Sequence, residues 1–376
     1  MMAAEDVILH ATRVYKKSDT ESKGANTVKK IEEIDPNFRV ESDFRKNGLF
    51  YYSCEKEPFR IHGLLREGGI FRRIPEAVAS AVNEGVAYLH TNTAGGRVRF
   101  RTASRRVSIR AVYDSVGKMP HFALTGSAGF DLYADGAYAG TFMPPFDVGD
   151  ELESMITLGR KKERELLIEF PLYSGVKELY IGLDRDTPPL APAPYRHPVP
   201  MVYYGSSITQ GGCASRPGTS YQALVSRALD ADYINLGFSG SARGEDAIVA
   251  YMKDLAMSVF VLDYDHNAPS PEHLSATHEK AFRAVREAHP DLPIVVMSRP
   301  KYRLTKDEKE RLRIIRETVS KAKAAGDEKV YLLDGKALTR LCRDEGTVDG
   351  CHPTDLGFFA MARALEELIR KEKLLG

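Results

Sequence analysis

The chain has 376 residues, 43% hydrophobic and 28% charged, the make-up of an ordinary soluble protein long enough to bury a sizeable core. Lys and Arg total 53 against 52 Asp and Glu, which removes the electrostatic case for nucleic acid or an anionic membrane as the main partner. No apolar run approaches the ~18 residues that span a bilayer, and none of Cys54, Cys213, Cys342 and Cys351 forms a C-x-x-C pair, which argues against a zinc knuckle and for reduced thiols.

Residues 1–45 are polar and charged and read as an N-terminal extension. Met1 to Lys30 lacks the apolar core of a signal peptide, so the cytoplasm is the expected compartment unless a leader has been removed. From 46 to 190 the pattern turns to short alternating runs, among them 85–90, 98–102, 107–112, 130–133, 137–142, 166–170 and 179–183. Asp135-Gly136 between two such runs signals a two-residue hairpin. These runs predict an all-β antiparallel sandwich, jelly-roll-like in outline. Tyr133, Tyr138, Phe142 and Phe146 near the hairpin either fill its core or stack on sugars, and alternation favours the core. The proline-rich stretch 187–194 reads as a semi-rigid connection and marks the boundary.

Residues 196–376 alternate strand with helix. Strands are predicted at 199–204, 233–236, 258–263, 294–297 and 330–333, and helices at 220–229, 247–254, 271–289, 307–325 and 356–373. Apolar strands separated by helices imply a parallel five-stranded sheet covered on both faces, a three-layer α/β/α domain. Sites in such sheets form at the carboxyl ends of the strands. Ser207 follows the first strand, Gly240 the second and Asn267 the third, and His352 precedes the last helix.

That edge carries a complete set of groups for acyl transfer. A serine hydroxyl needs a base to take its proton, and histidine suits that task near neutral pH. Asp349 stands three residues before His352, a spacing that lets its carboxylate hold the imidazole tautomer. The developing oxyanion needs donors. Gly240 can bring a backbone N–H close to a ligand, Asn267 can offer its amide, and Ser207 its own N–H.

Gly205-Ser206-Ser207-Ile208-Thr209-Gln210-Gly211 resembles the first block of the SGNH (GDSL-type) hydrolases, Asn235 to Gly240 the second, and Asp349-Gly350-Cys351-His352-Pro353 the fifth. The resemblance implies a flavodoxin-like catalytic domain in which Ser207 is the nucleophile, His352 the base and Asp349 its partner, with Ser207, Gly240 and Asn267 as the oxyanion hole. Two positions depart from the pattern: Ser206 stands where the usual aspartate would be, and Asp263-Tyr264-Asp265-His266-Asn267 replaces the G-x-N-D block. Gly129-Phe130-Asp131-Leu132-Tyr133, with Arg72-Arg73-Ile74-Pro75 and 99–104, resembles the G-x-D-L-Y sandwich found before a subset of these enzymes. This implies a two-domain bacterial esterase acting on acylated carbohydrate, through an acyl-enzyme and with no cofactor. A lipid ester or thioester is the alternative substrate.

Other chemistries fit less well. Gly237-Phe238-Ser239-Gly240-Ser241 fails the G-x-S-x-G elbow at its last position, and no phosphate loop occurs. Cys351 adjoins His352, but adjacent side chains rarely share one line of attack. A metal-dependent hydrolase would draw on Asp263, Asp265, His266, Asp349 and His352, leaving Ser207 unexplained. A carbohydrate-binding module would use the sandwich aromatics. Asp131 is expected to tie down backbone within the sandwich. His266 is expected near the site, and His273 and His278 on the solvated face of their helix. Activity should fall as His352 becomes protonated.

Overall fold

The computed structural model describes residues 44–46 and 48–375. The polar extension expected over residues 1–45 lies outside them, apart from its last two residues. Alternating runs pair into two five-stranded antiparallel sheets. One sheet has the order β1-β2-β12-β7-β10, built from Phe44–Lys46 (β1), Leu49–Ser53 (β2), Arg106–Ser115 (β7), Glu151–Thr157 (β10) and Gly175–Asp184 (β12). The other has the order β3-β6-β11-β8-β9, from Arg60–His62 (β3), Arg97–Thr102 (β6), Phe130–Ala134 (β8), Ala137–Phe142 (β9) and Arg164–Glu169 (β11). A small hairpin joins Leu65–Glu67 (β4) to Ile70–Arg72 (β5). Ile109 and Ile181 from the first sheet meet Val98, Leu132 and Ile168 from the second in one core, as a sandwich requires. The Asp135-Gly136 turn joins β8 to β9 with both residues at positive φ (50° and 80°), the conformation such a hairpin needs.

The aromatics near this hairpin divide. Tyr133 and Phe142 are buried, whereas Tyr138 is half exposed and Phe146 is 92% exposed. Tyr138 lies against the Arg216 guanidinium, 4.0 Å from ring centre to carbon.

The run 85–90, expected as a strand, is helical. Helices Glu76–Val82 (α1) and Glu84–Leu89 (α2) follow one another, and Asn83 caps α2 by accepting from the Val86 N–H at 2.9 Å. Val86 and Leu89 are three apart and both buried, while Tyr88 is 70% exposed, a helical rather than an alternating pattern. Their partners are Leu236 and Phe238 of the parallel-sheet half, so this stretch packs outside the sandwich core. One further short helix, Leu124–Ser127 (α3), precedes β8.

The parallel sheet has the order β14-β13-β15-β16-β17, from His197–Gly205 (β13), Ala231–Gly237 (β14), Val259–Asp263 (β15), Ile294–Met297 (β16) and Val330–Leu333 (β17). This is the doubly wound order 2-1-3-4-5, and its switch point lies beside β13. Alternation along β13 sends Val202 and Tyr204 to one face and Met201 and Tyr203 to the other. Asp246–Lys253 (α6), Pro271–Ala288 (α7) and Lys306–Ala324 (α8) cover the first face. Tyr221–Leu229 (α5) and Asp355–Glu372 (α10) cover the second, with the short Ser207–Gln210 (α4) and Gly335–Leu338 (α9) at the strand ends. His278, expected to be solvated, is buried and hydrogen-bonds Thr318 Oγ1 at 2.9 Å. It sits one turn from Leu274 and from Phe282, inside the apolar stripe of α7.

Sandwich and parallel sheet meet through buried charge. Arg97 is 0% exposed, pairs with Asp232, donates to the Tyr233 carbonyl at 2.9 Å and lies 3.8 Å over the Tyr233 ring. Asp131 reaches further than the sandwich it was expected to brace: it accepts from Arg216 Nη1 at 2.8 Å and from the Gly218 N–H at 2.9 Å.

Candidate active site

The end of β13 turns directly into α4. Ser206 is its N-cap, accepting from the Ile208 N–H at 3.2 Å. Ser and Asp serve this role about equally well, which explains how a serine can stand at this position. Ser207 follows as the first helical residue, only 8% exposed, and no hydrogen bond is made by its N–H among the described residues. Below it, Asp263 at the end of β15 accepts from Thr209 Oγ1 at 2.9 Å and Tyr221 Oη at 3.3 Å. Burial pushes the Asp263 carboxyl up to about 7.

Gln210 ties this turn to its surroundings. Its amide donates to Asn92 Oδ1 at 3.1 Å and to the Leu172 carbonyl at 3.2 Å, and its oxygen accepts from the Ser239 N–H at 3.0 Å. The Ser239 N–H is therefore occupied, and the next one along, that of Gly240, carries no hydrogen bond among the described residues. Gly240 has φ +67°, a conformation glycine takes without cost. Gly237 serves a different need: a Cβ there would lie 2.1 Å from the Gln210 nitrogen, so only glycine lets the two segments touch. Asn267 sits in a short 3-10 turn after β15 and donates to the Phe238 carbonyl at 2.8 Å, leaving its second amide hydrogen available.

The loop before α10 carries the candidate base, His352. Asp349 Oδ1 accepts from the N–H groups of Cys351 (2.9 Å) and His352 (2.7 Å), and Oδ2 meets His352 Nδ1 at 2.7 Å. Although desolvation opposes it, the bonds from His352 and these N–H groups hold the Asp349 carboxyl down at about 2. His352 Nε2 then faces Ser207 Oγ at 2.9 Å. Asp355, one turn on, accepts from the Ser215 N–H at 2.9 Å and Thr219 Oγ1 at 2.6 Å, which pins the histidine loop to the segment after the serine.

Ser207, His352 and Asp349 thus form one hydrogen-bonded line, and the Ser207 and Gly240 N–H groups carry no hydrogen bond among the described residues. The five residues named for a metal-dependent reaction do not gather. Asp265 is held by Arg299 at 3.1 Å, and Asp263 is enclosed beneath α4. His266 Nδ1 faces Cys351 Sγ at 3.6 Å, and burial with the nearby Arg299 cation pushes this histidine down to about 3. A cavity of about 690 Å³ between the ends of α7 and α8 lies at the opposite, amino edge of the sheet.

Two residues escaped the sequence reading. Gln210 was visible only as part of the first block. Arg73 was visible only as part of a pattern, yet it donates to the carbonyls of Leu89 (2.7 Å) and Gly237, and lies 4.5 Å over the Phe238 ring. Among the described residues no carboxylate pairs with it, and burial lowers its guanidinium to about 9. Its partners, Gly237 and Phe238, are the residues that carry Gly240 and receive Asn267.

Residues 199–370 match the GDSL-like lipase/acylhydrolase family, and residues 49–188 match the N-terminal domain of SGNH-type esterases. A protein from Bacteroides ovatus described as a GDSL-like lipase is 30% identical, with a TM-score of 0.77 over 86% of this chain and 97% of that one. The chain belongs to the GDSL-like lipase/acylhydrolase family. It is an ester-hydrolysing enzyme of that family, carrying the G-x-D-L-Y sandwich in front. Two more distant structures share the fold. Salicylyl-acyltransferase SsfX3, from a tetracycline biosynthetic pathway, is 20% identical with a TM-score of 0.72 over 88% of this chain and 99% of that one. An acetyl xylan esterase from Butyrivibrio proteoclasticus is 14% identical with a TM-score of 0.57 over 87% and 99%. No curated protein matches the chain.

Proposed function

We propose that this GDSL-family enzyme removes short acyl groups, acetyl first among them, from a carbohydrate through an acyl-enzyme on Ser207. The observation that carries the reading is the line from Ser207 Oγ to His352 Nε2 (2.9 Å) and from His352 Nδ1 to Asp349 (2.7 Å). Ser207 attacks the ester carbonyl as His352 takes its proton. Asp349 fixes the Nδ1–H tautomer and stabilises the imidazolium. The Ser207 and Gly240 N–H groups and the Asn267 amide receive the oxyanion. His352 returns the proton to the leaving alcohol, and water attacks the acyl-enzyme by the same path in reverse.

A short acyl group suits a nucleophile that is only 8% exposed. The carbohydrate alcohol is supported by the likeness to an acetyl xylan esterase of the same two-part build. The test is a chain-length series of nitrophenyl esters beside acetylated xylo- and gluco-oligosaccharides. Acetyl esters should be fastest and the oligosaccharides should release acetate. A preference for long acyl chains would overturn the reading in favour of a lipid or thioester substrate.

A further inference from the structure

His121, Cys213 and His352 come from three separate segments: the connection between β7 and α3, the turn after α4, and the loop before α10. One ligand atom from each lies within 4.8 Å of the others. The His121 and His352 rings are 5.7 Å apart between centres. Two imidazoles and a thiolate form a donor set for a borderline or soft divalent cation. Calcium and magnesium take oxygen ligands and have no purchase here. Nitrogen and sulfur ligands on one tetrahedral zinc stand roughly 3.3–3.7 Å apart, from its usual bond lengths. Closing the set therefore asks for about 1 Å of movement, and His121 is exposed and can supply it.

His352 is already prepared as a ligand. Its Nδ1–H is held by Asp349 at 2.7 Å, so the lone pair resides on Nε2. A carboxylate behind a histidine is the arrangement that orients imidazole toward a metal. Cys213 adds an independent sign. It holds φ +73°, a conformation in which an L side chain is uncommon, directly beside the nucleophile turn.

We propose that these three residues bind Zn²⁺ or a cation of similar softness, and that binding silences the esterase reversibly. On capture the Cys213 S–H bond breaks, its electron pair forms the sulfur–metal bond, and the proton passes to solvent. The Nε2 lone pair of His352 forms a second bond and can no longer accept the Ser207 proton. A ring nitrogen of His121 gives the third, and water fills the fourth position. The silencing, though not the coordination, rests on His352 being the base of the proposed function.

The test uses the full chain stripped with a chelator. Zinc should lower ester hydrolysis at least tenfold, and chelator should restore it. His121→Ala and Cys213→Ser should keep their metal-free activity while the inhibition constant rises at least tenfold. Coordination is read separately, by titrating Co²⁺ into Ser207→Ala and recording the thiolate-to-cobalt charge-transfer band, which Cys213→Ser should abolish. An unchanged inhibition constant in both variants, or no thiolate band, overturns the site. A band at one equivalent with hydrolysis undiminished overturns the switch, and places the fault in the assignment of His352 rather than in the coordination.

Discussion

The two loops that carry the proposed chemistry are built in opposite ways. The serine turn is buried and held from every side: Ser206 caps it, Thr209 hangs on Asp263, and Gln210 binds Asn92, Leu172 and Ser239. The histidine loop is largely exposed: Asp355 pins its end to the segment after the serine, but its imidazole is oriented by the loop's own Asp349, which gathers two backbone N–H groups and the ring. The Ser207 hydroxyl is therefore positioned by the fold, and the His352 ring is oriented by a local turn. Damage to the serine side should cost stability together with activity, and damage to the histidine side should cost activity far more than stability.

The sharpest test removes the reacting groups and leaves both scaffolds standing. Ser207→Ala and His352→Ala should each lower kcat by roughly 10⁴–10⁶-fold, with unfolding free energy in urea within about 1 kcal/mol of the wild type. Wild-type rates in Ser207→Ala would end the serine mechanism. Asp349→Asn probes the histidine loop directly. The amide oxygen can still accept the backbone N–H groups, but its NH₂ faces Nδ1 and favours the wrong tautomer. The expected loss is about 10³–10⁴-fold in kcat, with a stability cost of no more than about 1–2 kcal/mol, since the carboxylate that the fold favours is partly exposed to solvent. A variant that unfolds readily would show that the exposed loop leans on Asp349 for more than its tautomer.

Arg73→Met tests the buried side. Losing the guanidinium frees the carbonyls of Gly237 and Leu89 and unseats Phe238, which should cost about 1–3 kcal/mol of stability. The proposed oxyanion donors should shift as well, lowering kcat by about 10–100-fold with KM little changed. Arg73→Lys should recover part of kcat. A stability loss with kcat intact would make Arg73 a brace of the sandwich seam and nothing more.

The same contrast governs what the sequence made legible. Ser207, Asp349 and His352 could be read because each belongs to a short local pattern whose chemistry is evident from residue type. The parallel strands could be read because they are continuous apolar runs. The 85–90 segment misled because Val86 and Leu89 meet Leu236 and Phe238, a surface that lies some 150 residues away and leaves no mark on local alternation. His278 misled because a histidine in an apolar stripe counts as polar until its partner, Thr318, is known. Arg73, Gln210 and the reach of Asp131 to Arg216 share that cause: each acts through a backbone carbonyl or N–H, or a residue distant in sequence, and composition carries no trace of such partners.

Asp263 gives the smallest and most specific effect. Its carboxyl stands beneath the serine turn, raised by burial from an ordinary 3.8 to about 7. In the unfolded chain it ionises near its ordinary value, and in the folded protein only near neutrality. Between those values the unfolded state has released a proton that the folded state keeps, so folding stability falls as pH rises from about 4 to about 7, by up to about 4 kcal/mol. Above that range the penalty is constant. His266 and His278, pushed down to about 3 and about 4, act in the opposite sense, because the unfolded state binds their protons first as pH falls. The wild-type profile is a sum of these opposing slopes, so the contribution of Asp263 must be read as a difference. Urea unfolding of wild type and Asp263→Asn at pH 5 and pH 8 isolates it: the variant should gain on the wild type at the higher pH, since the amide keeps an acceptor for Thr209 and Tyr221 without a charge to bury. A constant difference across that interval would mean that the Asp263 carboxylate is stabilised when folded, and that the serine turn rests on a charge rather than on a neutral acid.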